Sequence, residues 1–365
     1  MVLFWSIFVF VVGAIIGSFL NVAIARLPLE KSLLWPSSRC GVCQQAIRWY
    51  DNIPLLSYWL LRGRCRACGA VYSMQYFWVE LATGLGFLGL YYLEVVGNIH
   101  GWRVSVEDAR LGGFAWPLWG GFAFHALLFS LLLAASVCDL NGREIPLSLT
   151  MPGTVMGLLG AVLMPWPWPE SPSTALPRPL AGMNPDWVWR VADARIGQGV
   201  YAWPVWGPLP SFLEPGGNWQ TGLATGLAGA FVGTFMMRAI RFAFSRGIGK
   251  EALGLGDADL MMMAGAFLGW QMMPVALFLS IPFALVVGLL NIVLRRDSSL
   301  PFGPSLAGGL LLTMLSWRWI AQFEQARLFF FWGKFLLALT VAAIVFLFVA
   351  GFVIRMLRGS EGGES

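Results

Sequence analysis

The sequence predicts an all-α polytopic membrane protein, a bundle of about eight to nine transmembrane helices with a small cytoplasmic tetracysteine zinc module. Three observations predict it. Charged residues make up 12% and hydrophobic residues 58% of the 365, whereas a soluble domain carries about 25% charged residues. Uncharged runs long enough to cross a bilayer, about 20 residues as helix, recur along the chain. One long basic interruption holds two Cys-x-x-Cys pairs, Cys40/Cys43 and Cys65/Cys68.

The elements follow in order. Met1 to Ala25 carries no charge and forms the first span, residues 1–25. It lacks a basic leader region and a small-x-small cleavage site, so it reads as retained and not as a signal peptide. Residues 26–75 form the module. Further spans are expected at about 76–93, 120–138, 149–165 and 219–237. The charge-free stretch from Leu260 to Leu294 is too short for two full spans and too long for one. It predicts a short helix and then a full one, broken near Gly269 to Pro274. The last two spans lie at about 302–317 and 331–354, the latter with Lys334 and Arg355 placed to snorkel. Residues 76–325 thus form the membrane core, and 326–365 an additional C-terminal span and cytoplasmic tail.

Loops rich in Lys and Arg stay cytoplasmic. With the N-terminus outside, Arg26 to Arg66, Arg143, Arg238 to Lys250, Arg295, Arg296, Arg355 and Arg358 share one side, which is most of the chain's 24 basic residues. The net charge of +5 is therefore a topological signal, and nucleic acid is not needed to explain it. The partner it implies is membrane lipid. Two outer loops remain, 94–119 and 166–218, the second rich in Pro and Trp and suited to the headgroup region. Gly222, Gly226, Gly229 and Gly233 recur at helical spacing, which lets a neighbouring helix approach closely.

Three features carry chemistry. The cysteine pairs have the spacing of a tetracysteine zinc site, and the charge pattern puts them in a reducing compartment where disulfides are rare. Four thiolates leave the ion no open position, so its role is structural, with Arg39, Arg64 and Arg66 beside it to offset the charge. Asp139 closes the uncharged run from Leu111 to Cys138, ahead of an Asn141-Gly142 turn and Glu144. Asp257 lies in Gly254-Leu255-Gly256-Asp257 at the mouth of the span that follows.

Taken alone, each aspartate reads equally well as a helix-end residue. Taken together they suggest an aspartyl protease dyad: two close carboxylates share one proton, one activating water and the other polarising the scissile carbonyl. Gly254 and Gly256 would let an extended substrate backbone come near. Glu80, within the second span, should face the interior, paired with an arginine or lining the site. His125 reads as a hydrogen-bonded packing residue with no second histidine near it, and Cys138 as a small buried apolar residue.

The chain resembles the prepilin peptidase family, the type IV leader peptidase/N-methyltransferases of the GxGD aspartyl protease type. The resemblance rests on Gly17-Ser18-Phe19-Leu20-Asn21-Val22 with Arg26-Leu27-Pro28, on Arg39-Cys40 to Cys43, and on Ile47 to Pro54. It continues through Arg62-Gly63-Arg64-Cys65 to Cys68, Val79-Glu80-Leu81, Asp139 with Ile145-Pro146, Gly254 to Asp257, and Pro301-Phe302-Gly303-Pro304. It implies a bacterial inner-membrane endopeptidase that removes the basic leader of type IV prepilins or type II secretion pseudopilins at the cytoplasmic face. Asp139 and Asp257 match the catalytic aspartates. It also implies methylation of the new N-terminus with S-adenosylmethionine, for which the residues themselves offer no nucleotide fingerprint.

Asp259 stands where the family usually has Lys, which puts an anion near Asp257, with Lys250 as a compensating cation. The 166–218 loop and the ninth span exceed the family's usual plan. Glu144 and Asp259 are the acidic groups available to a basic leader. The alternatives are a catalytically impaired assembly protein on the same scaffold, or a GxGD protease of another type. The tetracysteine module argues against the latter. Oligomeric state is not legible.

Overall fold

The computed structural model describes residues 2–33, 35–100, 116–164, 219–248, 254–295, 301–322 and 333–361. The 166–218 loop, most of the 94–119 loop, and Lys250 lie outside them. The helices are α1 (Val2–Arg26), α2 (Leu56–Leu60), α3 (Gln75–Leu90), α4 (Trp116–Leu140), α5 (Leu147–Leu163), α6 (Trp219–Ile248), α7 (Leu255–Leu268), α8 (Met272–Arg295), α9 (Phe302–Gln322) and α10 (Gly333–Glu361). Among the described residues there is no strand, only the isolated bridges Arg39–Ala46 and Arg64–Val71.

Five segments are long and apolar enough to cross a membrane: Val2–Leu29, Gln75–Val96, Leu118–Leu140, Trp219–Arg246 and Met272–Asn291. Leu147–Leu163 and Ala338–Ala350 are shorter apolar helices. The break expected near Gly269 is present: α7 stops at Leu268, Gly269 takes φ +80°, and α8 begins at Met272.

The chain divides into two compact units. The first comprises Met1–Leu149 and Val287–Ala307, the second Thr150–Val286 and Gly308–Ser365.

In the first unit α1 packs along α3, and α4 packs against both. The buried side of α1 is mostly small or polar (Ser6, Gly13, Ala14, Gly17, Asn21, Ala23), with Val9, Leu20 and Ile24 among them, while Phe4, Ile7, Phe8, Val11, Ile15 and Phe19 point outward. Large apolar groups outside and small groups between helices is the pattern lipid solvates, because helix association in a bilayer gains from close backbone approach. α3 continues into a π-helical segment, Tyr91–Val96. The module, inserted between α1 and α3, contains two short 3₁₀ turns (Leu27–Leu29 and Trp49–Asn52) and α2.

In the second unit α7 is buried on nearly every side, from Asp257 through Leu268, as befits a helix that is apolar all round beyond its first turns. α6 packs along α7 and also against α10. The glycine stripe explains the closeness: a Cβ on Gly229 would collide with the Gly265 carbonyl, and one on Gly233 with that of Met261. Hydroxyls buried in the helices bond the carbonyl one turn back, as in Thr225 to Thr221 (2.7 Å) and Thr313 to Gly309 (2.7 Å). Bonded in this way, these hydroxyls need no water.

Candidate functional site

Asp139 occupies the last turn of α4, and the sequence after it dictates how that helix stops. Gly142, with φ +68°, donates its N–H to the Asp139 carbonyl (2.9 Å), and the Arg143 N–H reaches the Cys138 carbonyl (3.1 Å). This paired bonding is the glycine-terminated helix end that Asn-Gly permits. Arg143 then reaches α1, its Nη1 donating to the Ile24 carbonyl at 3.3 Å. Thus fixed, the Asp139 side chain is half-buried, and its Oδ2 accepts the Gly303 N–H at 2.7 Å. A Cβ on Gly303 would lie 2.8 Å from that same oxygen, so only glycine fits there without displacing the carboxylate. Cys138 is buried, as expected.

Asp257 lies in the second unit, in the first turn of α7, with Gly254 in extended conformation at the N-cap. It is the third helical residue and not the cap itself. The free N–H groups and dipole of a helix start favour negative charge there. It is 8% exposed. A Cβ built on Gly254 would lie 3.8 Å from Asp257 Oδ2, an ordinary van der Waals contact. Asp259, two residues on, pairs with Arg238 of α6 (Nη2 to Oδ1, 3.6 Å). Among the described residues the cation beside this anion is Arg238 of α6. Glu144 is exposed just past the α4 terminus.

The cysteine module is built from two matching turns offset by 25 positions. Cys40 N–H bonds the Gln45 carbonyl (3.0 Å) as Cys65 N–H bonds that of Ala70 (2.8 Å). Gln44 N–H returns to Cys40 as Gly69 N–H returns to Cys65, and both residues have positive φ, +57° and +71°. The four sulfurs lie within 4.8 Å of one another, with Cys40 Sγ and Cys68 Sγ 3.8 Å apart. Tetrahedral Zn–S bonds of about 2.3 Å put sulfurs about 3.8 Å apart, so the donor set and its spacing suit the ion.

Backbone N–H groups of Cys43 and Val42 pull the Cys40 thiol down to about 6. For Cys68, the Ala70 N–H acts in the same direction but is outweighed by desolvation and the other three sulfurs, which hold it up to about 11. Arg66 does not serve the sulfurs as anticipated. Its guanidinium clamps Asp51 (Nη2 to Oδ1 2.6 Å, Nε to Oδ2 3.0 Å), joining the 3₁₀ turn to the second knuckle.

Glu80 faces inward, but its partner is no arginine. Its Oε2 accepts the Leu55 N–H at 2.8 Å. Leu55 has φ +64° and ψ −47°, inside a three-residue turn closed by Leu56 N–H to the Pro54 carbonyl (2.7 Å). That conformation is strained for a branched side chain. Glu80, Ser18, Asn21, Tyr58, Tyr76 and Phe77 contribute to the wall of a cavity of about 650 Å³ beneath the module. Leu55 and Gly303 act here through backbone N–H groups, which side-chain chemistry in the sequence does not advertise.

The profile of the bacterial peptidase A24 N-terminal domain matches residues 11–93, and that of the type IV leader peptidase family matches residues 205–289. Asp139 falls between the two segments. A Myxococcus xanthus protein named prepilin leader peptidase/N-methyltransferase is 33% identical over 290 residues, which is 79% of this chain and 64% of that protein. Proteins of the same name from Klebsiella pneumoniae and Pectobacterium carotovorum are 32% and 31% identical over 77% and 84% of this chain, and 92% and 91% of their own length. No solved structure matches. On these matches, and with an all-helical fold of several membrane-crossing helices, the chain belongs to the type IV leader peptidase family.

Proposed function

We propose that the protein is a membrane aspartic endopeptidase that cleaves the basic leader from prepilins or pseudopilins, with Asp139 and Asp257 as its catalytic carboxylates. The observation that carries this reading is Asp257, a carboxylate 8% exposed in the first turn of a helix that is free of charge from Leu260 onward. An acid in such a place is costly unless it is used. The related proteins are named prepilin leader peptidases. Asp257, favoured as an anion by the α7 N-terminus, takes a proton from water as the water oxygen attacks the scissile carbonyl. Asp139, protonated, donates to the carbonyl oxygen. Collapse of the tetrahedral intermediate returns a hydroxyl proton to Asp139 and expels the new amine, which takes the proton held by Asp257. Asp259 and Glu144 remain as the acidic groups for a Lys-rich leader.

In this reading the module end of α1 and α3 lies at the cytoplasmic face of the bacterial inner membrane, with the N-terminus outside. Basic loops on that side support this. Residues 26–75 act as a zinc-binding unit, 76–325 as the peptidase core, and 326–365 as an added span and tail. Zinc on Cys40, Cys43, Cys65 and Cys68 would fold the module and take no part in the reaction.

A second activity, methylation of the new N-terminus, is favoured by the cavity beneath the module. Tyr58 and Phe77 with the Glu80 carboxylate offer a sulfonium cation a face, Arg26, Arg39, Arg48 and Arg66 in the same wall offer an amino-acid carboxylate its partners, and the size is that of a small-molecule site. S-adenosylmethionine would supply the methyl group. Glu80, Tyr58 and Phe77 would bind and orient it.

Purified protein with a synthetic prepilin tests the central reading. Wild type should cleave, and Asp139→Asn and Asp257→Asn should not. Processing by both variants at the wild-type rate would end the protease reading, and a silent wild type would favour an assembly protein. Binding of S-adenosylmethionine, lost in a Tyr58→Ala/Glu80→Ala variant, tests the second activity.

A further inference from the structure

The chain contains two histidines, and both converge on one carboxylate. Glu94 lies in the π-helical turn that ends α3, a departure from α geometry that often accompanies functional sites. His125, on α4, places Nδ1 2.8 Å from Glu94 Oε1, and His100 places Nε2 3.4 Å from the same oxygen. The side chains of Glu94, His100 and His125 are 0%, 2% and 1% exposed. Among the described residues, Glu94 Oε2 is buried without a hydrogen-bond partner. The three donor atoms lie within 4.8 Å of one another.

A single Glu–His hydrogen bond would explain one imidazole. It leaves unexplained why a second imidazole approaches the same oxygen and why the other oxygen is bare. A carboxylate buried at the edge of the apolar layer also carries a charge that is costly there unless a cation meets it. A divalent cation resolves all three points at once. It neutralises the carboxylate, accepts lone pairs from both rings and can take up the free oxygen.

We infer that Glu94, His100 and His125 form a binding site for a divalent first-row transition-metal ion, Zn²⁺ foremost, separate from the cysteine cluster. Two imidazole nitrogens and one carboxylate oxygen are a donor set that such ions accept. Ligands at about 2.0–2.2 Å in tetrahedral array lie roughly 3.4 Å apart. His100 and Glu94 already have this separation. His125 and Glu94 need open by only about half an ångström, within the reach of a ring rotation.

The site shares nothing with the other two. Glu94 lies at the far end of its span from the cysteine module, roughly 28 Å from Gln75 at 1.5 Å per residue. On α4, His125 stands roughly 21 Å of helix from Asp139. The ion would tie the end of α3, the residues just after it, and α4 into one corner, on the membrane face opposite the cysteines.

Metal analysis of the detergent-purified full chain, saturated with Zn²⁺ and freed of excess, tests this. Wild type should hold two zinc ions per chain. His100→Gln/His125→Gln and Glu94→Gln should hold one, while Cys40→Ser/Cys43→Ser should lose the other ion and keep this one. One ion per chain in wild type, removed by the cysteine variant alone, would overturn the proposal. With only two imidazoles, ¹⁵N-histidine NMR of wild type decides the matter even if a variant misfolds. On Zn²⁺ addition to metal-stripped protein, His125 should show metal ligation at Nδ1 and His100 at Nε2. Ring signals unmoved at saturation would equally reject it. Neither readout depends on peptidase activity.

Discussion

The Gly303 N–H and the Asp139 carboxylate share a 2.7 Å hydrogen bond that joins residues 164 positions apart. The bond orients Oδ2, and the missing side chain leaves the room to do so. Gly303→Ala should therefore push the carboxylate aside. A hydrogen bond between neutral groups, as to the protonated Asp139, is worth about 0.5–1.5 kcal/mol, so prepilin cleavage should fall roughly two- to tenfold. The steady-state cleavage rate, read beside an unchanged elution profile, checks this. Undiminished cleavage would show that this bond does not position Asp139 for catalysis.

Two glycines should respond oppositely to the same methyl group. At Gly229 a Cβ meets the Gly265 backbone of α7, and overpacking of this kind costs about 1–3 kcal/mol. At Gly89 of α3 there is open space, and alanine is a better helix former than glycine by about 1 kcal/mol. Thermal unfolding in detergent should thus fall for Gly229→Ala and hold or rise for Gly89→Ala. Equal shifts in the two would contradict the helix contact described.

Chelation or Cys43→Ser should unfold the module and spare the spans. The module has two isolated bridges, short turns and the five-residue α2, with only Ser57 and Gly63 buried among its described residues, and small domains of that kind depend on their metal. Amide exchange in residues 38–73 should rise toward the unfolded rate while helical circular dichroism changes little. Protection retained in metal-free protein would mean that the turns stand without an ion.

Hydrogen bonding to the Arg66 guanidinium, with its charge, holds the Asp51 carboxyl below the usual carboxylate range. A depressed acid stabilises the folded module at pH above its unfolded value, about 3.9. That contribution disappears as pH falls through the folded value. The difference in module stability between wild type and Asp51→Asn should be full at pH 7 and shrink on acidification. Methyl NMR of Ile47 and Ile53, recorded on both proteins from neutral pH downward, follows it. A gap that widened with acid would reverse the sign.

Where the sequence is legible, a local physical rule is at work. Uncharged runs mark the helices because lipid tolerates little else, and the Leu260–Leu294 run implies its break because its length fits neither one span nor two. The Cys-x-x-Cys spacing likewise gathers four sulfurs around one point. Legibility ends where partners come from afar. In sequence His125 looks like an isolated packing residue because 25 residues separate it from His100, yet their ring centroids lie 5.3 Å apart. Asp259 looks like a charge facing Asp257 alone until α6 brings Arg238 beside it. Glu80 takes a backbone N–H in place of an arginine, and backbone donors look the same in every sequence. The α6 span also runs on to Ile248, because an amphipathic extension with Arg238 and Arg241 can leave the bilayer while staying helical.

The strained turn at Leu55 gives the module a mechanical reference to the membrane. Its one bond to Glu80 is the place where a compact aqueous unit reads the position of a helix set in lipid. A tilt or slide of α3 would be felt first as loss of that bond and relaxation of residues 54–56. The carboxylate that anchors the turn also faces the cavity beneath it. Anything that binds there with a positive charge competes with Leu55 for the same oxygens, so filling the cavity and releasing the turn would be a single event.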